Sequence, residues 1–318
     1  MLDTTLQLVP IREGFGEGIV EAAKNDSRIV ALCADLTDSV KLSEFKKQFP
    51  ERFFEVGITE QNMSGVASGM AAMGKVPFMA SYAMFSPGRN WEQIRTTICY
   101  NNVNVKIVGA HAGVSVGPDG GTHQAIEDIA LMRVIPRMTV VVPCDAIEAK
   151  KLTLQIAKMN GPAYIRLARE KTPVMTTENT ECQVGKAYTI FDSGIKQGTK
   201  KVGIIACGTL VYHAVEAAKM LVGEGYEVAV MNMHTVKQLD GEAVHAFAKR
   251  FGKLVTAEEH QMAGGLGSAV AEYVSEHCPV PMRFVGIKDV FGQSGTQDEL
   301  FKHYKLTADD IASVAKTF

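Results

Sequence analysis

Several features that would assign a function at once are missing from this chain. It has six cysteines without a CxxC pair and eight histidines without an HxxxH or HExxH spacing, so a zinc site is not indicated. The GxxxxGK[ST] phosphate loop is also absent. No apolar run approaches the roughly 20 residues that a membrane helix needs. These absences favour a globular protein with no metal site of its own.

An excess of charge of either sign is missing too. The formal net charge is −2, which gives no electrostatic reason to expect nucleic acid or a membrane surface as a partner. The first residues, MLDTTLQLVPIREGF, lack the basic-then-apolar layout of a signal peptide. Widely scattered cysteines favour buried or partly buried thiols in a reducing compartment, so a cytoplasmic location is expected.

Short apolar runs alternate with helical patterns from residue 29 onward. The runs are mostly continuous, as expected for strands of a parallel sheet that helices cover on both faces. Residues 145–159 show a helical apolar face, with Asp145 and Glu148 placed as a capping pair. Such alternation builds right-handed βαβ units and predicts a doubly wound α/β domain. The predicted strands of this block are 29–33, 53–56, 76–80, 103–109, 139–143 and 163–167.

The pattern breaks at 171–185, a polar and threonine-rich stretch that is typical of a linker. A second βα alternation follows, with strands predicted at 201–207, 226–233, 253–259 and 282–287 and helices near 211–221, 265–276 and 307–317. We therefore predict two doubly wound α/β domains, one over residues 1–180 and a smaller one over residues 181–318.

The first segment that points to chemistry is EVGITEQNMSGVASGMAAMG, residues 55–74. A strand ends at Val56, and a helix with small residues on its surface is predicted to begin near Glu60. Ligands of doubly wound sheets bind outside the carboxyl ends of the strands, where Glu60 is expected. On spacing alone, Glu60 is explained equally well as a first-turn acid that the helix dipole favours.

A glycine-rich loop at 111–125 is the second such segment. His111 and His123 bracket the loop, and Asp119 lies four residues before His123. Thr122 is predicted to cap the following helix, which would place His123 at a helix N-terminus suited to an anion. The alternative is a plain turn, which the convergence of two histidines and an aspartate at one strand end disfavours.

Two further segments are less specific. Residues 81–95 hold Tyr82, Phe85 and Trp91 together with Arg89, directly after a predicted strand. Aromatic side chains there can stack on a planar heterocycle, although they are more often part of a core. The glycines of MAGGLGSAV, residues 262–270, open a predicted helix, where a tight turn and close packing are favoured over a phosphate site.

Together, EVGITEQNM (55–63), DGGTHQ (119–124), YIRLAR (164–169) and GGLG (264–267) resemble motifs of the transketolase family. Several motifs agree in order, so the resemblance is far more specific than any one of them. It covers nearly the whole chain but only the second half of the family's pattern. The resemblance implies a pyrimidine-binding domain of the thiamine diphosphate type, followed by a transketolase C-terminal domain.

The family's diphosphate-binding motif, GDG followed later by NN, is missing from this sequence. The resemblance therefore implies the C-terminal subunit of a split transketolase. Thiamine diphosphate and its Mg²⁺ or Ca²⁺ ion would then need an N-terminal partner subunit that carries GDG…NN. Two copies of each chain, an α₂β₂ assembly, are expected because the family forms its cofactor site between subunits.

The resemblance also assigns cofactor contacts by position. Glu60 matches the glutamate at N1′ of the aminopyrimidine, where a shared proton favours the imino form that activates the thiazolium carbon. Tyr82 and Phe85 match aromatic residues beside the pyrimidine, and Phe78 is expected as a third wall. Asp35 matches an aspartate near the cofactor and the subunit interface.

Sugar contacts follow from the glycine-rich loop in the same way. His111 and His123 match histidines that contact the hydroxyls and carbonyl of the sugar, with roles in catalysis, and Asp119 matches an acid that recognises a hydroxyl. The loop departs from the family in two places, with HAG where many members have HD and DGGTHQ where DGPTHQ is common. These departures concern the donor and acceptor preference, not the cofactor.

A phosphate clamp for the acceptor sugar is implied by Arg12, Ser39 and Arg169. The planar fork of an arginine suits a phosphate monoester, and a hydroxyl adds a third donor. Sugar phosphates are therefore the expected substrates.

The leading hypothesis is transfer of a two-carbon ketol unit from a ketose phosphate to an aldose phosphate, as in the pentose phosphate pathway. One alternative is the β subunit of a 2-oxoacid dehydrogenase, which shares the two-domain layout but has no need of a clamp for polyol phosphates. A deoxyxylulose-phosphate-synthase-like activity is less favoured, since that family keeps both halves on one chain. A non-catalytic partner subunit is the alternative of a different class, and it would not need Glu60 or the two histidines.

Overall fold

A computed structural model describes residues 7–195 and 200–318 of the chain. The strands are β1 (Leu8–Pro10), β2 (Ile29–Cys33), β3 (Phe53–Glu55), β4 (Val76–Tyr82), β5 (Lys106–Ala110), β6 (Thr139–Val141), β7 (Ala163–Arg166), β8 (Lys171–Pro173), β9 (Tyr188–Asp192), β10 (Lys201–Ala206), β11 (Glu227–Asn232), β12 (Thr235–Lys237), β13 (Leu254–Gln261) and β14 (Met282–Ile287). The α-helices are α1 (Ile11–Asn25), α2 (Ser43–Gln48), α3 (Glu60–Ala72), α4 (Trp91–Gln93), α5 (Asp128–Arg133), α6 (Ala146–Lys158), α7 (Leu210–Gly223), α8 (Gly241–Phe251), α9 (Leu266–His277), α10 (Gln297–His303) and α11 (Ala308–Ala315). Within the described ranges, no helix is both long and apolar enough to cross a membrane.

The first sheet has seven strands in the order β12-β6-β7-β5-β4-β2-β3. The pairs between β6 and β3 in this order are parallel, whereas β12 is antiparallel to β6. Each of the six strands predicted in the first block is found in this sheet. The helix predicted at 145–159 is α6, and the side chain of Asp145 caps it by accepting a hydrogen bond from the Glu148 N–H.

Apolar side chains cover both faces of the first sheet, which explains its continuous apolar strands. Phe15 of α1 and Leu152 of α6 belong to the core on one face, and Met63 of α3 and Ile129 of α5 belong to the core on the other. Each fully buried side chain of this size contributes about 1.5–3 kcal/mol to folding. The packed sheet therefore holds the residues that follow its strands in fixed positions.

The second sheet has five strands in the order β14-β13-β10-β11-β9. Its four parallel members, β14, β13, β10 and β11, match the strands predicted after the linker, and β9 is added as an antiparallel edge. Helices α7 and α11 pack on one side, and α8 and α9 pack on the other. The mixed α/β architecture with parallel sheets agrees with the predicted fold class.

Contacts between the two sheets are extensive. Strand β12 follows β11 of the second sheet but pairs with β6 of the first. The buried Arg166 donates from Nε to Asp128 at 2.8 Å and from Nη2 to the carbonyl oxygen of Glu259 at 2.9 Å. In the predicted linker, Lys171–Pro173 forms β8, which pairs with β1, and Asp145 binds the backbone N–H groups of residues 175 and 176. The first part of the linker is therefore fixed against the first half of the chain, through β1 and the start of α6.

Candidate active site

The predicted site residues follow the strands of the first sheet. Parallel strands place their carboxyl ends at one edge, so the residues that follow them meet there. Glu60 comes after β3, Tyr82 ends β4, His111 comes after β5, Arg169 comes after β7 and Ser39 comes after β2. Arg12 joins them from the first turn of α1.

Glu60 is the first residue of α3, and its side chain is 1% exposed. Its Oε2 atom lies 2.9 Å from Nη1 of Arg89, and its Oε1 atom lies 3.4 Å from Oγ of Ser81. Its carbonyl oxygen accepts hydrogen bonds from Asn90 Nδ2 and Ser64 Oγ at 3.1 and 3.2 Å. The carboxylate is thus fixed in position and shielded from water, as a group that exchanges a proton with a ligand needs to be.

Arg89 and Ser81 are site residues to which the sequence assigns no role, although Arg89 is noted beside the aromatic residues. Both lie in the 81–95 segment with the aromatic residues, which is the one sequence feature that connects them to the site. Arg89 also places its guanidinium carbon 4.8 Å from the centre of the Phe85 ring. Arg89 therefore links the carboxylate of Glu60 to the aromatic pair.

Tyr82 and Phe85 form that aromatic pair. Their ring centres are 6.2 Å apart with an interplanar angle of 16°, and both side chains are half-buried. Two nearly parallel rings with part of their surface accessible offer a flat apolar wall.

Phe78 does not belong to this wall, which corrects the prediction. Its side chain is fully buried, and its ring centre lies 6.3 Å from that of Phe15 in the core between β4 and α1. Phe78 points to the same face of the strand as Tyr82, but it lies four residues further from the strand end, beneath the helices. It leaves no surface for a ligand to contact.

His111 has a left-handed backbone with a φ of 54°, a conformation that is uncommon outside glycine. Its ring stacks on Tyr82 with centres 3.8 Å apart, and its Nε2 lies 3.0 Å from Nη1 of Arg12. Since an arginine can only donate, Nε2 accepts and Nδ1 carries the proton. Among the described residues this buried Nδ1 finds no partner, so it is an N–H donor that a ligand oxygen would satisfy.

The pKa of His111 is lowered to about 3, chiefly by burial, and the nearby Arg12, Arg169 and His123 contribute to this lowering. The imidazole is therefore neutral at physiological pH. It acts as a hydrogen-bond donor of fixed orientation rather than as a cation.

His123 also contacts the aromatic pair. Its half-buried ring meets Phe85 edge-on, with centres 5.4 Å apart. The predicted helix cap is wrong, because the His123 N–H bonds to the carbonyl oxygen of Gly120 in a turn and α5 begins only at Asp128. Instead of capping a helix, Thr122 places its hydroxyl 3.0 Å from Nδ1 of His123.

Arg12 and Arg169 lie near each other at this edge. Burial lowers the pKa of Arg12, and the positive charge of Arg169 adds to the lowering. Arg12 donates to the carbonyl oxygen of Ser39 at 2.9 Å, so Ser39 contacts the cluster through its backbone rather than its hydroxyl. Arg169 donates to the carbonyl oxygen of Val116 at 2.7 Å and lies 3.5 Å from the carboxylate of Asp119. Two neighbouring guanidinium groups are suited to an anionic ligand.

Asp35 follows β2 with a left-handed φ of 60°, and its side chain is exposed. Its N–H donates to Oε1 of Glu55 at 2.7 Å, and the same carboxylate accepts from the Thr37 hydroxyl and the Gly57 N–H at 3.1 Å. Glu55, which the sequence analysis does not assign, thus fixes the loop after β2 against the turn before α3. The carboxylate of Asp35 is left at the surface, where a second chain can reach it.

The two departures in the glycine-rich loop coincide with close packing. A Cβ atom on Gly121 would lie 2.6 Å from the carbonyl oxygen of Gly292, and Gln124 donates to the carbonyl oxygen of Gln293 at 2.9 Å. Ala112 is fully buried among other small residues. Both positions therefore have no room for the larger residues that are common in the family.

The N–H groups at the start of α9 are already bound by a carboxylate of the protein, which excludes the alternative phosphate site there. Glu258 accepts hydrogen bonds from the N–H groups of Leu266 and Gly267 at 2.6 and 2.8 Å. Burial raises the pKa of this carboxyl group to about 7. The glycines allow this approach, since a Cβ atom on Gly265 would collide with the carboxylate.

Taken as a whole, this edge offers two kinds of binding surface side by side. A buried carboxylate beside a flat aromatic wall fits a planar heterocycle with a ring nitrogen that can carry a proton. An unpartnered imidazole N–H and two guanidinium groups fit an oxygen-rich anion. The described residues with metal-ligand spacing lie elsewhere, at Glu148, Cys182 and His234.

Comparison with protein families gives two matches along the chain. Residues 7–175 match the transketolase pyrimidine-binding domain, and residues 193–311 match the transketolase C-terminal domain.

The similarity to individual relatives extends over nearly the full length of both proteins. The chain is 42% identical over 305 residues to a 6-deoxy-6-sulfo-D-fructose transketolase subunit of Clostridium sp. MSTE9, covering 96% of this chain and 93% of that protein. It is 38% identical over 312 residues to a subunit of the apulose-4-phosphate transketolase of Phocaeicola vulgatus, covering 98% of each. A solved structure described as a split gene transketolase in an inactive beta4 tetramer superposes with a TM-score of 0.89 at 43% identity, covering 97% of this chain and 98% of that one.

Proposed function

Because this chain belongs to the transketolase family and corresponds to its C-terminal half, we propose that it is the C-terminal subunit of a split transketolase. The reaction we propose is transfer of a two-carbon ketol unit from a ketose phosphate to an aldose phosphate. One observation carries the proposal: Glu60, the aromatic pair, the histidines and the arginines converge at one edge of the sheet. Thiamine diphosphate, when bound, supplies the nucleophilic carbon for this chemistry.

Glu60 is proposed to hold a proton at its carboxylate for a ring nitrogen of the cofactor's aminopyrimidine. Burial and the fixed backbone of Glu60 support this role, since a proton donor and acceptor must be held within hydrogen-bond reach. Tyr82 and Phe85 are proposed as the wall beside the pyrimidine, and Arg89, which contacts the Phe85 ring, is proposed to orient the carboxylate. Asp35 is proposed to face the cofactor from the subunit interface.

The sugar is proposed to bind at the histidines and arginines. The unpartnered Nδ1–H of His111 is positioned to donate to a sugar oxygen, and His123 and Asp119 are expected to contact further hydroxyls. Arg12 and Arg169 are proposed to bind the phosphate, with Ser39 supporting Arg12 through its carbonyl oxygen. Because the pKa of His111 is lowered, its imidazole stays neutral and leaves the phosphate to the guanidinium groups.

An N-terminal subunit with the GDG…NN motif is proposed as the partner, and it would hold the diphosphate and its Mg²⁺ or Ca²⁺ ion. The related beta4 tetramer, described as inactive, supports the view that such chains self-associate without forming a complete site. An α₂β₂ assembly in the cytoplasm is the proposed state of the enzyme.

Replacing Glu60 by Gln in the reconstituted two-chain enzyme tests the proposal. The amide keeps the size but cannot take up a proton, so ketol transfer should fall by about 10²–10⁴-fold. Thiamine diphosphate binding, measured by calorimetry, separates lost chemistry from lost binding. The control is Glu51→Gln, because Glu51 is a largely exposed acid. Near wild-type turnover of the Glu60→Gln enzyme would refute the assigned role.

The identity of the sugar is tested with a panel. Two relatives are named as transketolase subunits for a sulfofructose and for apulose 4-phosphate, so these sugars are assayed beside the ketose and aldose phosphates of the pentose phosphate pathway. Pyruvate with a lipoyl acceptor is included as the substrate pair of a 2-oxoacid dehydrogenase. Ketol transfer to an aldose phosphate supports the proposal, and lipoyl acylation without ketol transfer would overturn it.

A further inference from the structure

A buried group of potential metal ligands lies between the two sheets, away from the proposed active site. It consists of Glu148 in α6, Cys182 between β8 and β9, and His234 between β11 and β12. The ligand atoms of these three side chains all lie within 4.8 Å of one another. They are separated by 34 and 52 positions along the chain, which is why no spacing motif reveals them.

The two distances from the sulfur of Cys182 match those around a single ion. Cys182 Sγ lies 3.8 Å from Glu148 Oε1 and 3.8 Å from His234 Nε2. Ligands at zinc bond lengths in tetrahedral geometry are roughly 3.3–3.8 Å apart. All three ligand atoms lie within 4.8 Å of one another, so Glu148 and His234 need to approach by about 1 Å at most to share an ion. A thiolate, an imidazole and a carboxylate are also the three ligand types that Zn²⁺ prefers.

Neighbouring groups already orient these ligands. Nδ1 of His234 lies 3.0 Å from the Thr235 hydroxyl, which leaves Nε2 facing the thiol. Asn232 Nδ2 and the Tyr188 hydroxyl each donate to Oε1 of Glu148 at 2.9 Å. Hydrogen bonds of this kind from outside the ligand set are typical of protein metal sites, where they fix the ring and the carboxylate.

The charge balance also favours a cation. Glu148 is fully buried, and its hydrogen-bond donors in the described ranges are neutral: the Cys144 N–H, Tyr188, Asn232 and the thiol of Cys182. A buried carboxylate without a countercharge is costly, whereas a divalent cation bound by one carboxylate, one thiolate and one neutral imidazole is balanced. Cys182 is partly exposed, which gives an ion access from solvent.

We propose that Glu148, Cys182 and His234 bind a divalent, thiol-preferring cation of the Zn²⁺ type, with water as the fourth ligand. The thiol gives up its proton to solvent as the sulfur–metal bond forms, and no oxidant or reductant is required. Bound there, the ion connects α6, the segment after β8 and the residues between β11 and β12. Its function is to stabilise the junction between the two sheets.

Cobalt titration of the full chain, freed of metal by a chelator, tests this site. Co²⁺ is the probe because a cobalt–thiolate bond gives a near-ultraviolet charge-transfer band. One equivalent should produce the band in the wild type and in Cys278→Ser, in which a distant, partly buried cysteine is changed. The band should be lost in Cys182→Ser, and Zn²⁺ should remove it from the wild type by displacing cobalt.

A thermal measurement gives a second readout. Zn²⁺ should raise the unfolding temperature of the wild type and of Cys278→Ser but not that of Cys182→Ser. Absence of a thiolate band in the wild-type chain overturns the proposal, as does a band of equal intensity in Cys182→Ser. The wild-type result stands even if a variant misfolds. Neither experiment uses thiamine diphosphate or a partner subunit, so their outcome is independent of the proposed transketolase activity.

Discussion

His111 has three unusual features: a left-handed backbone, a ring that stacks on Tyr82, and a buried N–H without a partner among the described residues. Strained backbone at a strand end is often found where a side chain must be aimed at a ligand. The neighbouring guanidinium of Arg12 fixes the tautomer by donating to Nε2. The lowered pKa of His111 is the measurable sign of this environment.

Acid should destabilise the wild-type chain through His111. Its folded-state pKa is about 3 against 6.5 for a free imidazole, so between these values the unfolded chain binds more protons. Stability is therefore lost as the pH falls below 6.5. Relative to His111→Asn, the wild type should lose about 2 kcal/mol of unfolding free energy between pH 7 and pH 5.

Denaturant unfolding of both proteins at the two pH values measures this difference. His303→Asn, which changes an exposed histidine, is the matched control and should keep the pH dependence of the wild type. Parallel behaviour of the wild type and His111→Asn would contradict the assignment.

Sequence alone indicates the type of each site residue but not which atom or face it presents. Phe78 and Tyr82 share one face of β4, and only the position of α1 decides that Phe78 is core. Ser39 is selected for its hydroxyl, yet its carbonyl oxygen makes the contact with Arg12. Arg89 is not assigned because an ion pair over 29 residues leaves no local pattern.

At the scale of elements, the loop between β5 and α5 depends on a backbone contact at Gly121. A Cβ atom there would lie 2.6 Å from the carbonyl oxygen of Gly292, and backbone cannot move aside as a flexible side chain can. Gly121→Ala should therefore lower the unfolding free energy by about 1–3 kcal/mol. Chemical denaturation measures the change.

Gly223→Ala is the control for this substitution. Gly223 is an exposed residue at the end of α7, and an added Cβ atom would meet nothing within 4 Å. Alanine there should leave the chain unchanged or stabilise it by up to about 1 kcal/mol. Equal stabilities of the two variants would show that the loop does not pack as described.

The parallel strands of both sheets can be predicted because most of them are buried, continuous apolar runs. Strands β1, β8, β9 and β12 are not predicted, since each pairs in antiparallel fashion with a strand that is distant in sequence and none of them is such a run. Helix α10 is not among the predicted helices either. Thr296 and Glu299 form a capping box at its start, and the spacing of these two residues can be read from the sequence. The cap expected from Thr122 fails because a turn separates it from α5.

At the scale of the whole molecule, the two sheets are expected to unfold together. Arg166 joins the first sheet to the backbone of Glu259 in the second, and one core cluster contains residues of both. Trp91 is the sole tryptophan of the chain and lies beside the first sheet, donating to the Leu131 carbonyl oxygen at 2.8 Å. Its fluorescence therefore reports on one half, whereas far-ultraviolet circular dichroism reports on both.

We expect the two unfolding curves to share one midpoint, as in a two-state transition. Arg166→Met, which removes the link to Glu259, should separate them or lower the common midpoint. Well-separated midpoints in the wild type would show that the halves are independent.

The complete enzyme is expected to need two chains. The purified chain with thiamine diphosphate should show negligible ketol transfer, because the motif that holds the diphosphate is not in its sequence. Activity should appear when the N-terminal subunit is added and should saturate at an equal number of the two chains. Robust activity of the single chain would contradict the division of the site.

Strand β12 also limits how this protein can recombine. Along the chain, a natural point of exchange lies in the segment at 171–185, but Thr235–Lys237 crosses back and hydrogen-bonds to β6. A chimera that took everything after this segment from a relative would place a foreign strand beside β6, at the edge of the first sheet opposite β3. We expect such a chimera to fold only where the incoming strand matches β6, so β6 and β12 need to be exchanged together.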